Sequence, residues 1–322
     1  MNDPFGRSID YLRISVTDRC NEKCLYCMPE GYKGWSQRND HMSADEIVRT
    51  VAAAADLGFK KFRVTGGEPL LRKDIVEICH RIRDVPGVRT LGLSTNATHL
   101  APIAHDLKPA GVRSVNISLD AMDAGIYSRI TGGRLEAVLE GISAAVSAGF
   151  EVIKLNCVLI RNVNESEYLP LIRFAADIGA PLRFIELMPL SRTDVLNEEN
   201  FLSVGELKQR LAALGELVEL PDYRPGNGPA RYFSFEPPGA RIGFIGALTT
   251  PHFCESCNKL RLTADGKLRP CLGRHGEIDL LGRMRDGGEP GDALRAAIDN
   301  KPEDHEFLDS YQPERPMTAI GG

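Results

Sequence analysis

Six short β-rich runs alternate with amphipathic helical stretches through the first two thirds of the chain, and that alternation restricts its fold more than any other feature. The strand candidates are residues 11–16, 61–65, 90–94, 114–119, 152–158 and 182–188. Between them, apolar residues recur at helical spacing over 44–57, 74–83, 135–148 and 167–177. Ser43 followed by Glu46 has the spacing of a capping box at the first helix start. Gly58, Gly111, Gly149 and Gly179 punctuate helix ends. Repeated strand–helix units imply a parallel sheet with right-handed crossovers, hence an α/β fold closed into a barrel or an incomplete barrel. In such folds the site lies at the C-terminal ends of the strands.

Polar residues gather where that rule expects them. Gly66-Gly67-Glu68 follows the second strand candidate, and Ser94-Thr95-Asn96 ends the third. Asn116, Ser118 and Asp120 alternate along the fourth, Lys154 and Asn156 lie in the fifth, and Glu186 and Met188 end the sixth. Period-two spacing puts each set on one face, toward the interior. The bland alternative for any one of them is hydrogen-bonded filler at a barrel mouth; six strands with the same pattern favour a site. After residue 215 the text changes to short β runs with Gly and Pro turns at 217–220, 232–235, 241–245, 260–263 and 267–268. Asp265-Gly266 reads as a hairpin turn. Residues 284–292 read as a surface loop before a helix at 292–299. Two domains are therefore expected, residues 1–215 and a small appended unit, 216–322.

Composition narrows the function class. Lys plus Arg number 39 against 44 Asp plus Glu, a net charge of −5, which argues against binding a nucleic-acid polymer. No apolar run approaches the ~20 residues a membrane span needs. The first eight residues hold no apolar segment of the signal-peptide kind. A cytoplasmic, reducing location is the expectation, and the eight cysteines then need a reason other than disulfides. Six fall in two triads: Cys20, Cys24 and Cys27 as C-x3-C-x2-C, and Cys254, Cys257 and Cys271 as C-x2-C-x13-C. Soft thiolates select zinc or iron–sulfur clusters. A closed zinc site takes four ligands, commonly as two Cys-x-x-Cys knuckles, and six thiols pooled on one zinc leave two over. A cubane held by three thiolates instead of the usual four keeps one iron open for chemistry. Cys79 and Cys157 read as core residues, His252 as a turn histidine, and Trp35 as a loop anchor.

The run Cys20-Asn-Glu-Lys-Cys24-Leu-Tyr-Cys27 resembles the signature of the radical S-adenosylmethionine superfamily, and Gly66-Gly67-Glu68-Pro69 resembles its glycine-rich motif. With the second triad, the run Asn258-Lys259-Leu260-Arg261 and the Gly321-Gly322 pair, the chain resembles the GTP 3′,8-cyclase family over essentially its whole length. That resemblance implies an incomplete (β/α)6 TIM-like barrel with a small C-terminal domain, and two [4Fe–4S] clusters, one on each triad. The first would work with S-adenosylmethionine, contacted by Tyr26, Gly66, Gly67, Glu68, Ser118 and Met188. Tyr26 would lie on the adenine side, the two glycines would let the backbone approach the methionine moiety, and Glu68 would attract its ammonium group. The second would meet the guanine of GTP, with Arg13, Arg63, Ser94, Lys154, Lys259, Leu260 and Arg261 as substrate contacts. Arg13, Arg63 and Lys154 sit in strand candidates, where an uncompensated charge is costly and an anionic ligand would compensate it. Arg261, Gly321 and Gly322 would serve catalysis, the slim tail threading into the site mouth.

The implied reaction removes hydrogen from C3′ of GTP and joins C3′ to C8 of guanine, opening molybdenum-cofactor biosynthesis. The resemblance also implies a homodimer, and cyclic pyranopterin monophosphate synthase as acceptor of the product. Two features depart from the family pattern: Ser94 stands where many relatives have Thr, and Ala97 where glycine often follows Asn. A peptide-modifying radical enzyme with an auxiliary cluster is the competing enzyme class, and a non-catalytic iron–sulfur or zinc protein the competing binding class.

Overall fold

The alternation read from periodicity is realised strand by strand in the computed structural model, which describes residues 1–28, 41–193, 195–309 and 311–321. Trp35 and Gly322 lie outside the described residues. The first half runs β1 (Tyr11–Ser15), α1 (Ala44–Asp56), β2 (Lys61–Thr65), α2 (Ile75–Arg83), β3 (Thr90–Thr95), α3 (Ala104–Leu107), β4 (Val112–Ser118), α4 (Ala124–Thr131), α5 (Leu135–Ala148) and β5 (Val152–Leu159). The second half runs α6 (Tyr168–Asp177), β6 (Leu182–Glu186), α7 (Val204–Ala212), β7 (Glu216–Glu219), β8 (Arg231–Glu236), β9 (Ala240–Ile245), β10 (Lys259–Leu262), β11 (Lys267–Arg269), β12 (Ile278–Asp279), α8 (Leu280–Arg285), α9 (Pro290–Asp299) and α10 (Met317–Ile320). The capping box of α1 is present: Glu46 N donates to Ser43 Oγ at 3.2 Å and Ser43 N to Glu46 Oε2 at 2.8 Å. The loop expected over 284–292 is shorter, because Leu280, Leu281 and Met284 form the buried face of α8.

All twelve strands belong to one sheet, in the order β12-β11-β10-β1-β2-β3-β4-β5-β6-β9-β8-β7. The six expected strands pair in parallel and in chain order, with Tyr11 opposite Lys61 and Leu155 opposite Leu182. The segment after residue 215 is not set apart from them. It supplies β10, parallel to β1, and β9, parallel to β6, so it extends the sheet at both edges. The β10–β11 hairpin turns at Gly266, whose φ of +74° matches the expected turn.

Each parallel strand sorts its residues by period two. Leu12, Ile14, Phe62, Val64, Leu93, Val115, Ile117, Leu155, Cys157, Phe184, Ile242 and Leu260 are buried in the core under the helices. Their neighbours Arg13, Arg63, Ser94, Asn116, Lys154, Arg183, Ile245 and Arg261 line a single cavity on the other side. Eight strands can touch one cavity only if the sheet curls around it, which makes the fold an incomplete barrel. Among the described residues no helix is long and apolar enough to cross a membrane.

Candidate functional site

The cavity has a volume of about 390 Å³ and opens at the C-terminal ends of the strands. Both cysteine triads line it, together with Tyr26, Gly66, Gly67, Glu68, Ser118, Met188, Arg13, Arg63, Ser94, Lys154, Lys259 and Arg261. Leu260, between Lys259 and Arg261, has its side chain buried in the outer core, so a contact of this residue with a ligand would be made by its main chain. Gly321 comes to the site through Arg261, whose Nη1 donates to the Gly321 carbonyl at 2.9 Å.

The end around the first triad is acidic. Gly67 N donates to Thr17 O and Glu68 N to Arg19 O, both at 2.7 Å, so the glycine turn lies against the loop that carries Cys20. A Cβ on Gly67 would stand 2.3 Å from Arg19 O, and one on Gly66 2.6 Å from Thr17 O. The space denied to a side chain is thus filled by the protein's own backbone rather than kept for a ligand. Glu68 accepts from Thr95 Oγ1 at 2.7 Å, Asn96 N at 2.7 Å and Leu70 N at 3.0 Å. One carboxylate lone pair stays open for a cation such as an ammonium group. Burial nevertheless pushes Glu68 up to about 7. Tyr26 donates its hydroxyl to Asp120 Oδ2 at 2.7 Å, which fixes the ring at the end of β4, and burial raises Asp120 to about 6. Glu22, between two triad cysteines, accepts from Tyr127 at 2.8 Å and is raised by burial to about 7. Three buried carboxyls that have no Lys or Arg hydrogen-bond partner among the described residues suit a positively charged ligand.

The triad itself tells the same story. Burial pushes Cys20 and Cys27 up to about 12 and Cys24 well above the usual thiol range. Ionised thiolates there need a metal centre beside them. No three His, Cys, Asp or Glu side chains among the described residues gather tightly enough for a single metal ion. A cubane, which places each thiolate on a separate iron corner, does not require that. The donor set of each triad therefore fits an iron–sulfur cluster with one open iron.

The opposite end, around Cys254, Cys257 and Cys271, is basic. Arg13 is pulled down to about 9 by burial and then by the Arg261 charge. Lys154 falls to about 6 through burial and the charges of Arg183 and Arg63. Arg183, Lys259 and Arg261 are lowered by burial too. Arg63 is held by Tyr11 OH at 2.7 Å, Leu93 O at 2.6 Å and Ser114 Oγ at 3.0 Å. Gly92 makes room for that guanidinium, since a Cβ there would lie 2.5 Å from Nη2. Lys154 Nζ donates to Pro225 O at 2.9 Å, so the loop after β7 folds over this end. Asn116 adds a buried Oδ1 without a hydrogen-bond partner. Such mutual repulsion persists only where an anion is to be bound.

Sequence reasoning missed Arg183. Its Nε donates to Asn156 Oδ1 at 2.8 Å, and it lines the cavity from β6. A lone arginine amid Leu182, Phe184 and Ile185 was the available signal. Glu186 takes the bland role instead: it accepts from Val204 N and Leu248 N, each at 3.0 Å, and from the Thr249 hydroxyl, anchoring α7 and a loop. His252 is a turn residue with φ +60°, paired with Glu255. Cys79 and Cys157 are fully buried, as expected of core residues.

Comparison with known proteins places this site in a family. A model described as the radical SAM superfamily matches residues 14–175, and one described as Molybdenum Cofactor Synthesis C matches 180–307. A GTP 3′,8-cyclase of Pelotomaculum thermopropionicum is 42% identical over 328 residues, covering 100% of both chains. The GTP 3′,8-cyclase of Thermodesulfovibrio yellowstonii is 40% identical with the same coverage. Among solved structures, Streptococcus suis SuiB has a TM-score of 0.62 at 14% identity, covering 95% of this chain and 69% of its own. The enzyme anSMEcpe with bound AdoMet has a TM-score of 0.61 at 16% identity, covering 92% and 82%. These two likenesses speak to the fold alone.

Proposed function

The chain belongs to the GTP 3′,8-cyclase family of radical S-adenosylmethionine enzymes, and from that premise we propose which of its residues carry each part of the reaction. The enzyme cyclises GTP to (8S)-3′,8-cyclo-7,8-dihydroguanosine 5′-triphosphate in molybdenum-cofactor biosynthesis, using S-adenosylmethionine and two [4Fe–4S] clusters. Residues 1–215 furnish the first cluster's ligands, Cys20, Cys24 and Cys27. Residues 216–322 furnish the second's, Cys254, Cys257 and Cys271.

The observation that carries these assignments is the split of one cavity into an acidic and a basic end. Cationic S-adenosylmethionine suits the end with Tyr26, Gly66, Gly67, Glu68, Ser118 and Met188. The triphosphate suits Arg13, Arg63, Lys154, Lys259 and Arg261, with Ser94 beside them. Arginine grips phosphate bidentately, and burial strengthens each contact. When bound, the cluster and S-adenosylmethionine supply a 5′-deoxyadenosyl radical that takes the hydrogen from the ribose C3′. The protein's part is to hold the ribose between the two ends and keep water out while C3′ meets C8. Arg261, with one nitrogen committed to Gly321 O, is aimed by Gly321.

A cytoplasmic location, where a reducing environment keeps thiols available as cluster ligands, belongs to the same reading. A homodimer, and cyclic pyranopterin monophosphate synthase as acceptor of the product, complete the reading. Anaerobically reconstituted enzyme with GTP, S-adenosylmethionine and a reductant is expected to release 5′-deoxyadenosine and the cyclised nucleotide together. Absence of both sinks it. Cys271→Ala is expected to keep the first cluster and lose the product; normal turnover would reassign the second triad.

A further inference from the structure

Lys301 follows α9, is 3% exposed, and lines the cavity beside the second triad. Nothing in the reaction described so far uses it. A lysine is seldom buried so fully without an ionic partner, yet the hydrogen-bond partners of this ammonium among the described residues are two carbonyls. Its Nζ donates to Lys259 O at 2.9 Å and to Pro270 O at 2.6 Å. The Cys257 and Cys271 thiols lie within reach of its charge.

The two carbonyls belong to different arms of the triad. Lys259 stands two residues after Cys257, and Pro270 directly precedes Cys271. The remaining arm is tied to the same segment: Arg7 Nη1 donates to both Cys254 O, at 3.2 Å, and Glu303 O, at 2.6 Å. Residues 301–303 thus form a back-plate on which three separately encoded cysteines are held. A buried ammonium whose hydrogen-bond partners among the described residues are two carbonyls is electrically incomplete. Three thiolates on an iron–sulfur cluster complete it, and a fixed positive charge beside such a cluster favours its reduced state.

We propose that Lys301 is the positioning residue of the second cluster: its ammonium locks the Cys257 and Cys271 arms at one spacing and holds the cluster's reduction potential up. The proposal rests on the reading that the second triad carries a cluster. The test uses the full chain, reconstituted anaerobically, as wild type, Lys301→Met, Lys301→Arg and Cys271→Ala. Iron and sulfide content are measured, followed by a redox titration read by electron paramagnetic resonance. Lys301→Met is expected to keep the first cluster and to shift the second's one-electron equilibrium about tenfold toward the oxidised form, ~59 mV. Lys301→Arg is expected to stay near wild type. Loss of the second cluster's iron in Lys301→Met, with retention in Lys301→Arg, also supports the locking role. Wild-type iron and potential in Lys301→Met overturn the proposal, as does a Lys301→Arg protein that matches Lys301→Met in both readouts. Full iron content in Cys271→Ala overturns the underlying reading instead.

Discussion

Gly66 and Gly67 have no space for a side chain because the loop of the first triad occupies it. The neighbour is backbone and cannot swing aside, so Gly67→Ala is expected to cost about 1–3 kcal/mol. It should also lower iron at the first cluster, seen as a reduced Tm and reduced iron per chain. A variant with normal values of both would show that the loop yields. Lys154 has a different signature, in pH. Burial brings it to about 6, from 10.5 for a free lysine. Between those values the unfolded chain holds a proton that the folded chain has released, so stability rises with pH across that window. Lys154→Met is expected to flatten that rise in denaturant titrations of ligand-free protein. It should also weaken GTP binding, by about tenfold or more, through loss of a charge-assisted contact of about 1.5–3 kcal/mol. Equal slopes in the two proteins would contradict a buried amine as the cause. That Lys154 faces the cavity was legible from its strand; that Arg63 and Arg183 crowd it was not, because they lie on strands far away in sequence.

Among the elements, α10 and Gly321 bear most directly on the reaction. Gly321 has φ +90°, and a Cβ there would lie 2.8 Å from Ser15 Cβ, between the ends of β1 and β2. Gly321→Val is expected to push the tail out and free Arg261, with product formation falling at least a hundredfold while iron content stays unchanged. Near-normal turnover would mean that Arg261 needs no help from the tail. The strands themselves were readable because period two survives in each of them, and their order followed from the crossover rule. A motif read as a block hides its alternation: of Lys259, Leu260 and Arg261, the middle side chain packs in the outer core. Arg183 was missed because the phase of β6 was set from Glu186 and Met188, at and beyond the strand's end. The helices α4 and α8, of 8 and 6 residues, are too short to show a period.

On the scale of the whole molecule, a net charge of −5 conceals a cavity divided by sign, its acidic end built from the first half of the chain and its basic end completed by Lys259 and Arg261 of the last third. The sequence spacing of the second triad carries no trace of this, since nothing local says that β10 pairs with β1. A chain ending at residue 215 would leave β1 and β6 without their outer partners. Such a fragment is expected to aggregate in size-exclusion chromatography, as bare strand edges do. A monodisperse fragment with native-like circular dichroism would show instead that 1–215 folds as a domain. The same pairing has a meaning in time. During synthesis at about 5–20 residues per second, β1 waits roughly ten to fifty seconds for β10 to be made. Until β9 and β10 emerge the nascent sheet has both flanks open, and the basic end of the cavity lacks Lys259 and Arg261. The last strands to emerge are the ones that close the first, so the rate of translation and the supply of holding chaperones set how much active enzyme a cell obtains from each message.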